Sequence, residues 1–400
     1  MYKARRRRKK RNILLPVILV IVLVAGGVFA YNFLDMPSIP FLKTEKKIPI
    51  NELKDLESIL ADMTLKEKIY QMIFTTPESL TGVGSVIQAG DTTKGALAER
   101  PVGGIIYFSE NMKDNEQIKG MIEKAQSFSR IPMFIGTDEE GGRVSRISGN
   151  ERLGFEKIPA MADIGASGDY NKAYDIGKQL ADMLKGLSFN VDFAPVADII
   201  TNPNNTEIGD RSFGTDPKIT AEMVKKIVLG LQENNISATL KHFPGHGSTQ
   251  ANSHNGYSES TRTLAEMRLD EFKPFQAGID AGADFVLISH MSAVNVDPSK
   301  APASLSKVIV GDILKNELGY KGLVITDSLS MGAITERYSP SEAAVAAVEA
   351  GIDILLIPEN LTGAYNGINT AVADGIISEE RINESVRKII SLKIKRGIID

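Results

Sequence analysis

Fourteen residues, Lys241-His-Phe-Pro-Gly-His-Gly-Ser-Thr-Gln-Ala-Asn-Ser-His254, hold three of the four histidines in a chain of 400. Imidazole titrates near neutrality, so such a cluster suits proton transfer or metal ligation. The surrounding Gly, Pro, Ser and Asn are loop residues, and Ile236–Leu240 just upstream reads as a short buried strand. The cluster therefore leaves the C-terminal end of a strand, where rigid scaffolds commonly carry chemistry. Three readings are open: an acid/base or sugar-binding loop, a zinc site through His242, His246 and His254, and a structural loop. Phe243-Pro244-Gly245 rules out a helix that would set His242 and His246 on one face, and there is no cysteine. Both facts count against zinc, and no metal is expected.

Other polar residues fall at similar places. One apolar run ends in Thr137-Asp-Glu-Glu-Gly-Gly-Arg-Val-Ser-Arg146, and another in Asp192-Phe-Ala-Pro-Val-Ala-Asp198, with Gly209-Asp-Arg-Ser-Phe-Gly214 in its following loop. Two more end in Ser289-His290 and Thr326-Asp327-Ser328. Each has a bland reading. Asp327 suits a helix N-cap, Asp138 suits an ion pair with Arg143 or Arg146, and Arg211 suits a surface charge. Glu139 and Glu140 read as turn packing against Gly141-Gly142, and His290 as a pocket wall. Their common position at strand ends argues for a shared pocket.

The elements that must position them alternate. Leu53–Met63 and Asn115–Phe128 carry apolar residues at helical spacing. Short continuous apolar runs lie between helices: Tyr70–Phe74, Gly104–Phe108, Met133–Thr137, Asn190–Ala194, Ser237–Lys241, Phe285–Ser289, Gly322–Thr326 and Asp353–Ile357. Unbroken apolar runs suit parallel strands covered by helices. Eight strand–helix units predict an α/β fold, a single (β/α)8 TIM-type barrel over residues 51–400, with a doubly wound open sheet as the other arrangement. In such barrels the C-terminal strand ends build the site. Gly82–Glu99 reads as a loop or irregular insertion.

The N-terminal residues are of another kind. Eight of the first twelve are Lys or Arg, and Ile13–Ala30 is almost wholly apolar. Eighteen helical residues span about 27 Å, near the hydrocarbon thickness of a bilayer. Residues 1–12 are thus predicted to be a cytoplasmic tail, 13–34 a transmembrane anchor and 35–50 a linker, leaving the barrel outside the cell membrane. Cleavage after Val28-Phe29-Ala30, as in a signal peptide, is the alternative. With +8 on the tail and −4 on the whole chain, the remainder carries about −12, which excludes electrostatic binding of nucleic acid.

Asp138-Glu-Glu-Gly-Gly-Arg-Val-Ser-Arg146, Arg211-Ser-Phe-Gly214, Lys241-His-Phe-Pro-Gly-His-Gly247 and Ile325-Thr-Asp327-Ser together resemble family 3 glycoside hydrolases. The histidine block is most similar to the bacterial β-N-acetylglucosaminidase (β-hexosaminidase) branch. The resemblance covers about Leu53 to Ile394 and implies a (β/α)8 barrel. Many members append a second α/β domain, and none is expected after the last unit here. The resemblance implies Asp327 as a nucleophile forming a covalent glycosyl-enzyme and His254 as acid/base. It also implies that Asp138, Arg146, Arg211, Lys241 and His242 grip the terminal sugar, and that no cofactor is needed. Most glycosidases of this retaining type use a second carboxylate where this branch uses histidine.

One position departs from the branch. Asp normally stands two residues before the catalytic His, and here it is Asn252. Asn accepts a ring N–H but supplies no charge to stabilise imidazolium. The expected activity is removal of terminal N-acetylglucosamine from peptidoglycan fragments or related glycosides. A non-catalytic or weakly active wall-sugar-binding protein and a β-N-acetylglucosaminide phosphorylase remain open beside it.

Overall fold

The computed structural model describes residues 50–249 and 258–399. The predicted tail, anchor and nearly all of the linker lie outside them, as do Asn252 and His254. Among the described residues no helix is long and apolar enough to cross a membrane. Lys54–Asp400 form one unit.

Eight parallel strands make its sheet: β1 (Ile73–Thr75), β2 (Gly104–Ile106), β3 (Phe134–Thr137), β4 (Val191–Asp192), β5 (Ser237–Phe243), β6 (Phe285–Ile288), β7 (Leu323–Thr326) and β8 (Leu355–Leu356). They pair in chain order, and β1 also pairs with β8. The Ile325–Ile354 bridge, with Thr326 N donating to Ile354 O at 3.1 Å, brings β7 to β8. The sheet thus curls into a TIM-type barrel, not an open doubly wound sheet. All eight expected strands are present.

Two expectations need correction near the start. Thr64 caps the helix Leu65–Gln71 and Glu67 reaches back to the Thr64 N–H, a capping box that commits this stretch to helix. Tyr70 and Gln71 therefore belong to that helix, and β1 begins only at Ile73. Within Gly82–Glu99, expected to be irregular, Asp91–Glu99 is helical. Asn115–Phe128 is a helix with the expected bounds, capped by Asp114.

Tilted and edge-to-face phenylalanine rings pack in the barrel interior. Phe134 lies 5.6 Å from Phe74 and 5.4 Å from Phe285 between ring centroids. A Cβ at Gly104 would stand 2.5 Å from the Phe74 ring, so only glycine lets this ring sit against β2. The helix Glu379–Lys395 reaches the N-terminal end of the barrel. Its Lys393 is fully buried, donates to Gln71 Oε1 at 2.8 Å and lies 5.2 Å from the Phe134 centroid.

Burial lowers the Lys393 amine to about 7, against an ordinary lysine value near 10.4. Between those values the unfolded chain binds more protons than the folded one, so this group makes stability rise as pH increases from about 7 to about 10. Lys393→Met should stabilise the protein by about 1–4 kcal/mol at pH 7, less whatever Gln71 loses. That gain should shrink steadily in melts run up to pH 9.5. A gain independent of pH, or none, would show that no protonation cost attaches to Lys393.

Candidate active site

At the C-terminal rim, β3 runs into a tight antiparallel pair, Glu139–Gly141 with Val144–Ser145. Gly141 and Gly142 turn this hairpin at φ of +88° and +60°, and a Cβ on Gly141 would stand 2.6 Å from Pro159 O. Residues two apart on an extended chain share a face, so Asp138 and Glu140 both meet Lys241. Lys241 Nζ donates to Asp138 Oδ1 at 2.7 Å and pairs with Glu140 Oε1 at 2.6 Å.

Lys241 and His242 come from the end of β5, where the register against β6 shifts between Leu240 and Phe243. Such an irregularity re-aims side chains, and both residues join the same network. Arg211, from the turn Gly209–Arg211, reaches it from the loop after β4. Its Nε and Nη2 donate to the two Glu140 oxygens at 2.8 and 2.9 Å. Nη2 also lies 3.2 Å from His242 Nε2. A guanidinium has no acceptor, so Nε2 accepts and the ring proton sits on Nδ1. From there it is donated to Asp198 Oδ2 at 2.7 Å.

Asp198, fully buried at the end of the β4 segment, also accepts from the backbone N–H of His242 (3.1 Å) and of His246 (2.6 Å). Burial would raise its carboxyl, but the His242 ring and His246 outweigh that and hold it below the usual range. Glu140 behaves the same way: burial opposes ionisation, and Lys241 with Arg211 overcomes it. Burial also opposes the charge on Lys241, which Asp138 and Glu140 restore and raise. Behind this row, Glu139 N donates to Asp192 Oδ1 at 3.1 Å. Burial raises both carboxyls, and Glu139 pushes Asp192 further up.

Asp327 ends β7 and is half-buried. Its backbone N–H donates to Ile288 O at 2.8 Å, and its Oδ1 accepts from Ser328 N at 2.7 Å. The next helix starts only at Gly332 with Met331 as its cap, so Asp327 is not the N-cap that its position suggested. Burial and then His242 lower the His246 imidazole, and Asp198 and Asp327 oppose that. His290 donates from Nε2 to Ser328 O at 2.8 Å and accepts from Ser304 at Nδ1 (2.8 Å), which steadies the Asp327–Ser328 step.

Of the sequence-predicted sugar ligands, Asp138, Arg211, Lys241 and His242 meet in one network. Arg146 stands at its edge, with Nη2 3.9 Å from Asp138 Oδ2 and its guanidinium 5.5 Å from the Phe108 ring centroid. Arg143 pairs with Asp210 at 2.8 Å instead of Asp138. Arg211 is not a surface charge, since only 8 % of its side chain is exposed. Glu140 is not turn packing either: it is the anion that binds both cations. Asp198 was passed over as the end of a strand. The two-residue spacing of Asp138 and Glu140 was a usable signal for the first, and nothing local marked the second. Among the described residues no group of three or more metal-ligating side chains forms a metal site. His246 Nδ1 is 2.9 Å from the Thr249 hydroxyl.

Residues 64–392 match the model of the glycosyl hydrolase family 3 N terminal domain. A β-hexosaminidase from Idiomarina loihiensis is 34% identical over 305 residues, covering 75% of this chain and 89% of that protein. β-Hexosaminidase A of Pseudoalteromonas piscicida is 31% identical over 331 residues, and there the alignment covers 75% of this chain but only 54% of the relative. The solved family 3 β-N-acetylglucosaminidase of a Paenibacillus species superposes with a TM-score of 0.79 at 36% identity, over 84% of this chain and 63% of that one. The chain thus spans little more than half of some relatives and most of others.

Asp198→Ala should leave the His242 ring and two backbone N–H groups without their acceptor. A loss of about 3–5 kcal/mol in denaturant unfolding is expected. A loss below about 1 kcal/mol would mean that Asp198 does not anchor this loop.

Proposed function

Because the chain belongs to glycosyl hydrolase family 3, in its bacterial β-hexosaminidase branch, we propose that it is a retaining exo-β-N-acetylglucosaminidase. The observation that carries the reading is the rim itself. A carboxylate ends β7, and two cations, a carboxylate and an imidazole converge from β3, β5 and the loop after β4. Carboxylates accept from sugar hydroxyls while Lys and Arg donate to them, which suits a polyol.

In the first step Asp327 attacks the anomeric carbon as the glycosidic C–O bond breaks, and His254 gives its proton to the departing oxygen. In the second, neutral His254 takes a proton from water, whose oxygen displaces the Asp327 ester and restores both groups. Asn252 orients the imidazole through its side-chain oxygen without adding charge. The substrate class is glycosides with terminal N-acetylglucosamine, peptidoglycan fragments among them. Residues 13–34 anchor the enzyme, with the barrel outside the cell. The Asn252 substitution favours one second reading, a weakly active sugar-binding protein.

Nitrophenol release from an aryl N-acetyl-β-glucosaminide, with and without phosphate, tests the reaction. Hydrolysis independent of phosphate is expected; release that needs phosphate indicates a phosphorylase, and sugar binding without release indicates the binding protein. Asp327→Asn should cost on the order of 10³-fold or more in kcat, and parental turnover in that variant removes Asp327 from the mechanism. Asn252→Asp should favour protonation of His254, each pKa unit being worth about 1.4 kcal/mol. It should therefore help a natural disaccharide, whose leaving group needs a proton, more than the aryl glycoside. Equal effects would take Asn252 out of the acid/base pair.

Protease added to intact spheroplasts should degrade or release the barrel. Protection that ends only on lysis would place it on the cytoplasmic side.

A further inference from the structure

We infer that Glu140 is a positioning residue that sets the selectivity of the pocket for adjacent sugar hydroxyls by fixing Lys241 against Arg211. The inference rests on the hexosaminidase reading above. One oxygen, Oε1, takes both Lys241 Nζ at 2.6 Å and Arg211 Nη2 at 2.9 Å. Those two nitrogens therefore lie no more than about 5.5 Å apart, whatever the angle between them. Two cations at that separation repel unless an anion lies between them.

The donors left over give this arrangement its meaning. An ammonium has three N–H groups; Lys241 commits one to Asp138 and one to Glu140, leaving one. A guanidinium has five. Arg211 commits Nε–H and one Nη2–H to Glu140, the other Nη2–H to His242, and one Nη1–H to Glu207 O at 3.2 Å. Among the described residues the remaining Nη1–H meets no acceptor at hydrogen-bond length; Glu207 Oε1 stands 3.7 Å from Nη1. Among the described residues each cation thus keeps one donor for a ligand, and both cations are tied to a single buried carboxylate. The Glu140 side chain is 1 % exposed, so solvent cannot substitute for it. A glutamine would keep the shape, but its NH2 would face N–H donors and its oxygen would neutralise neither cation.

The test compares the parent, Glu140→Gln and Glu140→Asp on aryl N-acetyl-β-glucosaminide and on its 3-deoxy and 4-deoxy analogues, with thermal melts alongside. The parent should prefer the intact sugar over at least one deoxy analogue. In Glu140→Gln, KM for the intact sugar should rise on the order of 10–100-fold, with kcat much less affected. Its intact-to-deoxy preference should fall towards one. Glu140→Asp, which keeps the charge, should fall between. Loss of kcat/KM by one common factor on all three substrates, or an unchanged KM, would overturn the proposal and leave Glu140 a purely structural role. Should the Gln variant not melt cooperatively, the Asp variant decides: a folded Asp protein with parental selectivity also overturns it. A parent that turns over none of the substrates sinks the hexosaminidase reading instead. Calorimetric binding of N-acetylglucosamine and its deoxy analogues to parent and variants then decides the role of Glu140, with the same preference lost or kept.

Discussion

A single buried carboxylate, Glu140, accepts from two cations, Lys241 at the end of β5 and Arg211 in the loop after β4. Removing one partner from a buried ion pair typically costs about 3–5 kcal/mol, because the other charge is stranded. At 8 % and 3 % side-chain exposure, the cost of burying the Arg211 and Lys241 charges is offset by Glu140 and Asp138 against them. Charges alternate along the row Asp138, Lys241, Glu140, Arg211, and His242 links its end to Asp198. The tight hairpin after β3, the irregular register at the end of β5 and the turn Gly209–Arg211 all serve to bring these groups within hydrogen-bonding distance.

The buried acids around the rim divide by their partners. Glu140 and Asp198 have cations or several donors and ionise readily. Glu139 and Asp192 are equally deep but have no cation paired with them among the described residues; Glu139 accepts from the Ile147 and Ser148 N–H groups and the Ser148 hydroxyl, yet burial outweighs these donors and both acids are pushed up. Burial acts in the same direction on all four, so the neighbours decide which way each carboxyl is shifted. The acids with cations against them thus stand at the rim, and the two whose carboxyls are pushed up lie behind. At the opposite end phenylalanines pack inside the barrel, and Lys393 has an amide oxygen and an aromatic ring as partners.

The described ends of the histidine loop are held to the scaffold. Ser248 donates to Ser260 across the loop's base at 2.8 Å, and Glu259–Ser260 pairs with Ser292–Ala293 beyond β6. Arg262 then lies 3.0 Å from buried Glu271, which in turn accepts from Thr201 in the loop after β4. The segment bearing Asn252 and His254 is thus bounded on both sides by residues tied to neighbouring strands.

Local pattern was enough for the eight strands, because unbroken apolar runs between amphipathic helices have few other ways to bury themselves. The strand-end positions of Asp138, Lys241 and Asp327 were legible for the same reason. Where sequence reading misplaced β1, the signal was present in the capping box at Thr64 and Glu67, and a helical turn took Tyr70 and Gln71. The charge partners were not legible. Glu140 and Arg211 are 71 positions apart, and His242 and Asp198 are 44 apart. No local propensity encodes which buried acid meets which buried base, since that depends on how neighbouring strands stagger and how their loops turn inward. Residue types and strand ends were determined by the sequence itself; which carboxylate holds which cation was decided only by closing the barrel.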